Sequence, residues 1–253
     1  GINRLYGEAG DDILRAKWGV SDSELYGGSG ADQLFAASYS GSYLDGGTGA
    51  DVMTGGDGGD VFIVDNAKDY IEELWAPSFD NESNPTDIVR ASASFVLTAE
   101  ARIEVLETTN VSGTKAINLT GNLTAQTIRG NAGANILDGR GGNDILIGGV
   151  GADKLIGGAG RDTASYEGAT KAVGASLWKP SSNSGDAKGD TYSSIEILIG
   201  SSFSDRLEGN TGANTIKGGA GSGRIYGGSG ADQLYGGTGA DTFIFRKVGE
   251  ATT

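Results

Sequence analysis

Oxygen-bearing side chains recur in this chain at a fixed place relative to glycines. Asp12, Asp32, Asp51, Asp60, Asp144, Asp153, Asp162, Asp205, Asp232 and Asp241, with Asn135 and Asn214, each stand five residues after a glycine. Most of these stretches carry further glycines at their second and fourth places. Glycine there permits positive φ and leaves the backbone bare, so successive carbonyls can converge on one point. The sixth-place Asp adds a carboxylate to the same point. Two such turns, stacked, enclose a space lined by oxygen alone. That donor set suits a hard divalent cation taking about six to eight oxygens in flexible geometry, namely Ca²⁺. Mg²⁺ fits less well, because it holds its waters and demands tight octahedral geometry. Without the ion, rows of like-charged Asp repel, so metal binding and folding are expected to be coupled.

The elements that position these turns follow from a nine-residue period. It is written in three blocks: units between 7 and 63, an unbroken run over 121–165, and a third run over 200–244. Each unit is a six-residue turn followed by a three-residue strand whose middle, eighth-place residue is apolar and faces inward, since strand side chains alternate faces. Leu14, Leu34, Met53, Phe62, Leu137, Leu146, Leu155, Leu207, Ile216, Ile225, Leu234 and Phe243 hold that place. Short strands joined by turns of equal length coil with two units per circuit, so alternate repeats stack side by side at about 4.8 Å. The expectation is all-β: two parallel sheets back to back around the eighth-place residues.

Composition agrees and excludes much. Glycine supplies 46 of 253 residues, against an average usage of about 7%. Proline is only 3, which removes collagen and Pro-rich linkers. A formal charge of −14 argues against nucleic acid and for a cationic partner. Cysteine and histidine are both absent, so there are no disulfides, no Cys/His zinc sites and no histidine-dependent triad. No apolar run reaches the ~18 residues of a membrane span. The pattern is already under way at Gly1, which reads as a fragment of something longer. No GxxxxGK[ST] phosphate loop or EF-hand loop occurs. No carboxylate pair stands out as a glycosidase would require, so the chain is expected not to be an enzyme.

GGSGADQLF (27–35) and its relatives resemble the RTX or haemolysin-type calcium-binding repeat. GDVFIVDNAKDYIEE (59–73), DTASYEGATKAVGASL (162–177) and SIEILIGSSFSDRLEGN (194–210) also look familiar from such proteins. The resemblance implies a right-handed parallel β-roll, a β-solenoid, with two non-repeat inserts. It implies a bacterial protein, exported by type I secretion and folding outside the cell or at its surface on meeting calcium. It also implies ligand sets, with carbonyls from places two and four plus the Asp of one turn facing carbonyls from places one and three plus the Asp of the next. Carried onto this chain, Glu8, Gly10 and Asp12 would face Gly27, Ser29 and Asp32, while Gly28, Gly30 and Asp32 would face Gly46, Thr48 and Asp51. Arg140, Gly142 and Asp144 would face Gly157, Ala159 and Asp162; Asn131, Gly133 and Asn135 would face Gly148, Val150 and Asp153. Asn210, Gly212 and Asn214 would face Gly227, Ser229 and Asp232.

Departures from the pattern limit the ions to about four to seven. Ser23 and Ser42 stand at sixth places in the first block, which weakens Asp60 above them. Gly223 stands between Asp205 and Asp241 and weakens both; Gln126 weakens the start of the second block. The organisation expected is a first block at 1–63, an insert with added strands at 64–120, a second block at 121–165, an insert at 166–199 and a third block at 200–253. DIVRASAS (87–94), IEVLET (103–108), VGASLW (173–178) and SSIEILI (193–199) read as insert strands that continue the roll in longer coils. Trp75, Trp178 and Tyr192 could form a sugar-stacking surface, although aromatics capping a roll are commoner. Three roles follow: a calcium-triggered module that stabilises or presents a larger exported protein; a surface-layer, adhesin or fibre protein assembled end to end through calcium; or a polysaccharide-binding module of a secreted enzyme. Insertion into a membrane is not expected.

Overall fold

The computed structural model describes residues 3–17, 22–36, 41–73 and 85–245. Its strands form a parallel β-solenoid. One face is a continuous 12-stranded parallel sheet running from Asn3–Tyr6 to Gln233–Tyr235. The opposite face is divided among three shorter parallel sheets. The first pairs Ile13–Arg15, Gln33–Phe35, Val52–Thr54 and Tyr70–Glu72. The second holds Phe95–Val96, Leu119–Thr120, Ile136–Asp138, Lys154–Ile156 and Thr191–Ser193; the third holds Gly174–Ser176, Arg206–Glu208, Arg224–Tyr226 and Thr242–Phe243.

Register follows the eighth-place residues. Leu14 stands beside Leu34 and Leu34 beside Met53 on the first short sheet, while Ile128 pairs with Leu146 on the long one. Leu14, Leu34, Met53, Phe62, Leu137, Leu146, Leu155, Leu207, Ile216 and Ile225 are all buried. Their neighbours in each three-residue strand point outward, as in Ile145–Ile147, where only Leu146 is fully buried. Two expected core residues depart from this: Leu234 is only partly buried, and Phe243 is 40% exposed. Both lie on the last described strand of their sheet, so no described coil covers them.

The inserts continue the roll, as the alternation in their sequences predicts. Residues 64–120 contribute Tyr70–Glu72, Ile88–Ala91, Phe95–Val96, Val105–Thr108 and Leu119–Thr120. Residues 166–199 do more: Gly174–Ser176 opens the third short sheet, and Thr191–Ser193 closes the second. The chain between them folds through short 3-10 turns at Pro180–Ser182 and Gly185–Ala187. This coil is a seam at which the far face passes from one sheet to the next. A similar seam falls between Tyr70–Glu72 and Phe95–Val96. Among the described residues, no helix is long and apolar enough to cross a membrane.

Candidate metal centre

Stacking brings the sixth-place residues into columns, and each column is a hydrogen-bonded ladder. The Asp12 amide donates to Asp32 Oδ1 at 2.8 Å, the Asp32 amide to Asp51 Oδ1 at 2.8 Å, and the Asp51 amide to Asp69 Oδ1 at 3.1 Å. On the long-sheet side, Gln126 donates to Asp144 (2.7 Å) and Asp144 to Asp162 (2.8 Å). A third column runs from Asn135 to Asp153 to Asp190, each step 2.8 Å, and Asn214 donates to Asp232 at 2.9 Å. The sixth-place acid thus has a structural duty apart from any ion: its Oδ1 accepts a backbone N–H that would otherwise be orphaned inside the stack.

Oδ2 is the atom left over. In Asp12, Asp32, Asp51, Asp144, Asp153 and Asp162 it is buried with no hydrogen-bond partner. It lies against the first-place glycine of its own turn, so that a methyl group on Gly27 or Gly148 would overlap it. Leaving a charged oxygen dry and unpaired is costly. Burial, the larger cause, pushes Asp51 up to about 6 and Asp144 and Asp153 up to about 7, with neighbouring carboxylates adding to the rise. Asp162 is raised for the same reason, with Glu196 as its neighbouring acid.

The carbonyls complete the cage. Between consecutive turns of a column, the second- and fourth-place carbonyls of the earlier turn point forward. A methyl on Gly28 would overlap the Glu8 oxygen, and one on Gly30 the Gly10 oxygen. Matching crowding sets Gly158 and Gly160 against Arg140 and Gly142, Gly149 and Gly151 against Asn131 and Gly133, and Gly228 and Gly230 against Asn210 and Gly212. First-place carbonyls of the later turn point back: Gly27 oxygen crowds Gly7, Gly46 oxygen Gly27, Gly148 oxygen Gly130, Gly157 oxygen Gly139 and Gly227 oxygen Gly209. Third-place residues bridge the turns. The Ser29, Ala159 and Ser229 amides donate to the Glu8, Arg140 and Asn210 oxygens at 2.9, 2.8 and 3.0 Å, and Thr48 pairs in register with Ser29. Val150 is the third-place residue of its turn, with its side chain exposed.

Glu8 and Arg140 adopt left-handed φ of 73° and 66°, in the place where other turns use glycine. Their carbonyls are held forward despite the strain. Each backbone carbonyl has two lone pairs, so those already accepting an N–H retain one. The five residue sets that the resemblance implies each surround one gap between stacked turns. The acceptor atoms are oxygens, and four of the five gaps include a dry, unpartnered carboxylate oxygen, the gap between Asn214 and Asp232 being the exception. Such gaps fit calcium, which would be held by the forward and backward carbonyls together with Oδ2 atoms.

The weaker candidates are accounted for differently. Asp205 has both oxygens taken by the Ser201 hydroxyl (2.7 and 3.0 Å), with the Ser201 amide adding a bond to Oδ2 at 2.5 Å. Asp241 Oδ1 accepts the Gly223 amide at 2.8 Å. Asp60 accepts the amides of Ser42 (2.5 Å) and Gly56 (2.7 Å), as expected of a residue stacked over Ser42. Its carboxylate also converges with those of Glu73 and Asp87, the three ligand atoms lying within 4.8 Å of one another, a grouping able to hold a metal ion. Burial, reinforced by the neighbouring acids, drives Glu73 up to about 10 and Asp87 up to about 7.

Asp69, Asp87, Glu104, Asp190 and Glu196 continue the columns through the inserts; Asp69 keeps the 18-residue step of one circuit, whereas the steps to Asp87, Glu104, Asp190 and Glu196 are 27, 17, 37 and 34 residues. The Asp60 amide donates to Asp87, Asp87 to Glu104 and Asp162 to Glu196. Each precedes an inward residue by two places, in the triplets Asp69-Tyr70-Ile71, Asp87-Ile88-Val89, Glu104-Val105-Leu106, Asp190-Thr191-Tyr192 and Glu196-Ile197-Leu198. That acid–x–apolar triplet is the signal that survives when coil length changes. Of the aromatic trio, Tyr192 packs against the core with its hydroxyl bonded to Tyr166, Trp178 is 38% exposed, and Trp75 lies outside the described residues.

A family model for the RTX calcium-binding nonapeptide repeat, four copies long, matches residues 1–21, 19–38, 41–71, 120–155, 129–164, 199–222 and 208–243, together more than half the chain. No curated protein matches the chain.

Proposed function

The chain belongs to the RTX calcium-binding nonapeptide repeat family, and from that premise we propose that it is an extracellular module that folds as it takes up calcium after secretion, stabilising or presenting a larger exported bacterial protein. That it is a calcium-binding β-roll module follows from the family itself. The remainder rests on one observation: six sixth-place aspartates each bury a partnerless Oδ2 between glycine turns. In a calcium-poor cytoplasm those carboxylates would have to be stacked dry and uncompensated, which opposes folding. In calcium-rich surroundings the ion supplies the missing partner, and its binding free energy becomes folding free energy. The role assigned is binding, with no catalysis, and the ion is a structural one.

The test is a calcium titration of the full chain starting in EGTA, followed by far-ultraviolet circular dichroism and sedimentation velocity. A rise in β signal with calcium, reversed by chelator, is the expected result. A signal unchanged between EGTA and millimolar calcium overturns calcium-coupled folding.

A further inference from the structure

On the divided face the columns of carboxylates stop at the two seams, and they stop in a particular way. At the end of the first column, Asp69 lacks the partnerless oxygen of Asp12, Asp32 and Asp51. Its Oδ2 accepts the amides of Asp65 (3.2 Å) and Asn66 (3.1 Å). The Asn66 side-chain amide also donates to the Gly49 carbonyl, a fourth-place oxygen of the kind that would otherwise face an ion. At the end of the column that runs through Asn135 and Asp153, Asp190 is fully buried, and its Oδ2 accepts the Tyr166 hydroxyl at 2.7 Å. Tyr166, itself 4% exposed, also meets the Tyr192 hydroxyl at 2.5 Å, and Asn183 donates to that hydroxyl at 3.1 Å.

Both closures are side-chain donors placed where an interior gap presents only acceptors. We propose that Asn66 and Tyr166 stand in for a cation at the seams, so that the gaps between Asp51 and Asp69 and between Asp153 and Asp190 take no calcium. Interior gaps then need the ion, and the seams hold themselves. This rests on the calcium reading above and sharpens it: within these two columns, ions are confined to the gaps whose facing turns both follow the repeat. The donor logic is chemical. A hydroxyl or amide N–H compensates one buried carboxylate or carbonyl by a short directed bond, and it also fills the space a cation would need.

The experiment counts calcium per chain by atomic emission after equilibrium dialysis, with folding checked by circular dichroism. Wild type, D190N, Y166F, D153N and the double variant Y166F/D190N are compared. D190N and Y166F are expected to bind as many ions as wild type, and D153N fewer. Thermal unfolding in saturating calcium supplies a second readout. Y166F should lower Tm on the order of 5 °C when Asp190 is present, since a buried charged acceptor loses its donor. The same change should have little effect in the D190N background, a coupling that mere loss of packing would not produce. An ion lost in D190N, or a Y166F cost equal in both backgrounds, overturns the proposal. If D190N fails to fold, the ion count of Y166F decides alone: an altered count overturns the proposal, an unchanged one supports it. A wild-type chain that binds no calcium at all would instead remove the underlying reading.

Discussion

The Asp144 amide donates to Oδ1 of Asp162, one coil further along, at 2.8 Å, while Oδ2 of the same Asp162 has no partner. One carboxylate is thereby split between two tasks. Its first oxygen clips adjacent coils together, and its second remains for an ion.

The split can be separated by substitution. D162N retains an oxygen for the Asp144 amide and loses the charge, so it should lower calcium affinity at that gap by tenfold or more, about 1.4 kcal/mol or above. D162A removes both oxygens and strands the amide, adding about 1–3 kcal/mol of destabilisation. Calorimetric calcium titration alongside urea unfolding checks this. Equal unfolding midpoints for the two variants would contradict the ladder.

Gly30 and Gly10 occupy the same place in consecutive turns of one column, yet their surroundings differ. Both have positive φ, 144° and 112°, but a methyl on Gly30 would overlap the Gly10 carbonyl, while one on Gly10 meets nothing within 4 Å. G10A should cost only backbone strain, about 1–3 kcal/mol. G30A should cost distinctly more, because two stacked turns must separate. Urea unfolding in saturating calcium measures both.

Acidity should partly replace calcium. Asp51 sits at about 6 and Asp144 and Asp153 at about 7, all raised by burial above the ordinary value near 4. Raised folded values mean that folding binds protons. Their contribution is fully present below about pH 4 and is lost as pH rises through 6 to 7. The calcium-free chain should thus show more β signal at pH 5 than at pH 8, and calcium should bind more weakly at pH 5. Circular dichroism in EGTA across that range tests the sign.

The cation should matter by kind. Flexible gaps lined by many oxygens suit calcium, and magnesium at equal concentration should restore far less β signal because it sheds its waters reluctantly. Equal recovery with both ions, followed by circular dichroism, would contradict a cage built mainly of backbone carbonyls.

Much of this was readable without coordinates, because one period encodes both the turn and the strand. The burial of Leu146 and Leu155 and the alignment of Asp144 with Asp162 follow from counting nines. Counting fails where coil length changes. Asp87 follows Asp60 in its column by 27 residues, which keeps the phase of nine but not the circuit of two units, and Asp190 follows Asp153 by 37, which keeps neither. The closure of Asp190 by Tyr166 was equally out of reach, since 24 residues and a sheet change lie between them. Leu234 and Phe243 carry the inward pattern, but burial depends on a neighbouring coil that a unit's own sequence does not report.

The long sheet has a mechanical meaning. Coils in a solenoid touch mainly their neighbours, so order passes along the axis one step at a time. Among the described residues, the 12-stranded sheet is the one hydrogen-bonded sheet that crosses both seams. It therefore behaves as a spine with three plates fastened to it. Under load, a plate can peel from its seam and leave the rod in one piece, whereas a single coil lost from the spine, at Val61–Val64 or Thr163–Ser165, would cut it in two.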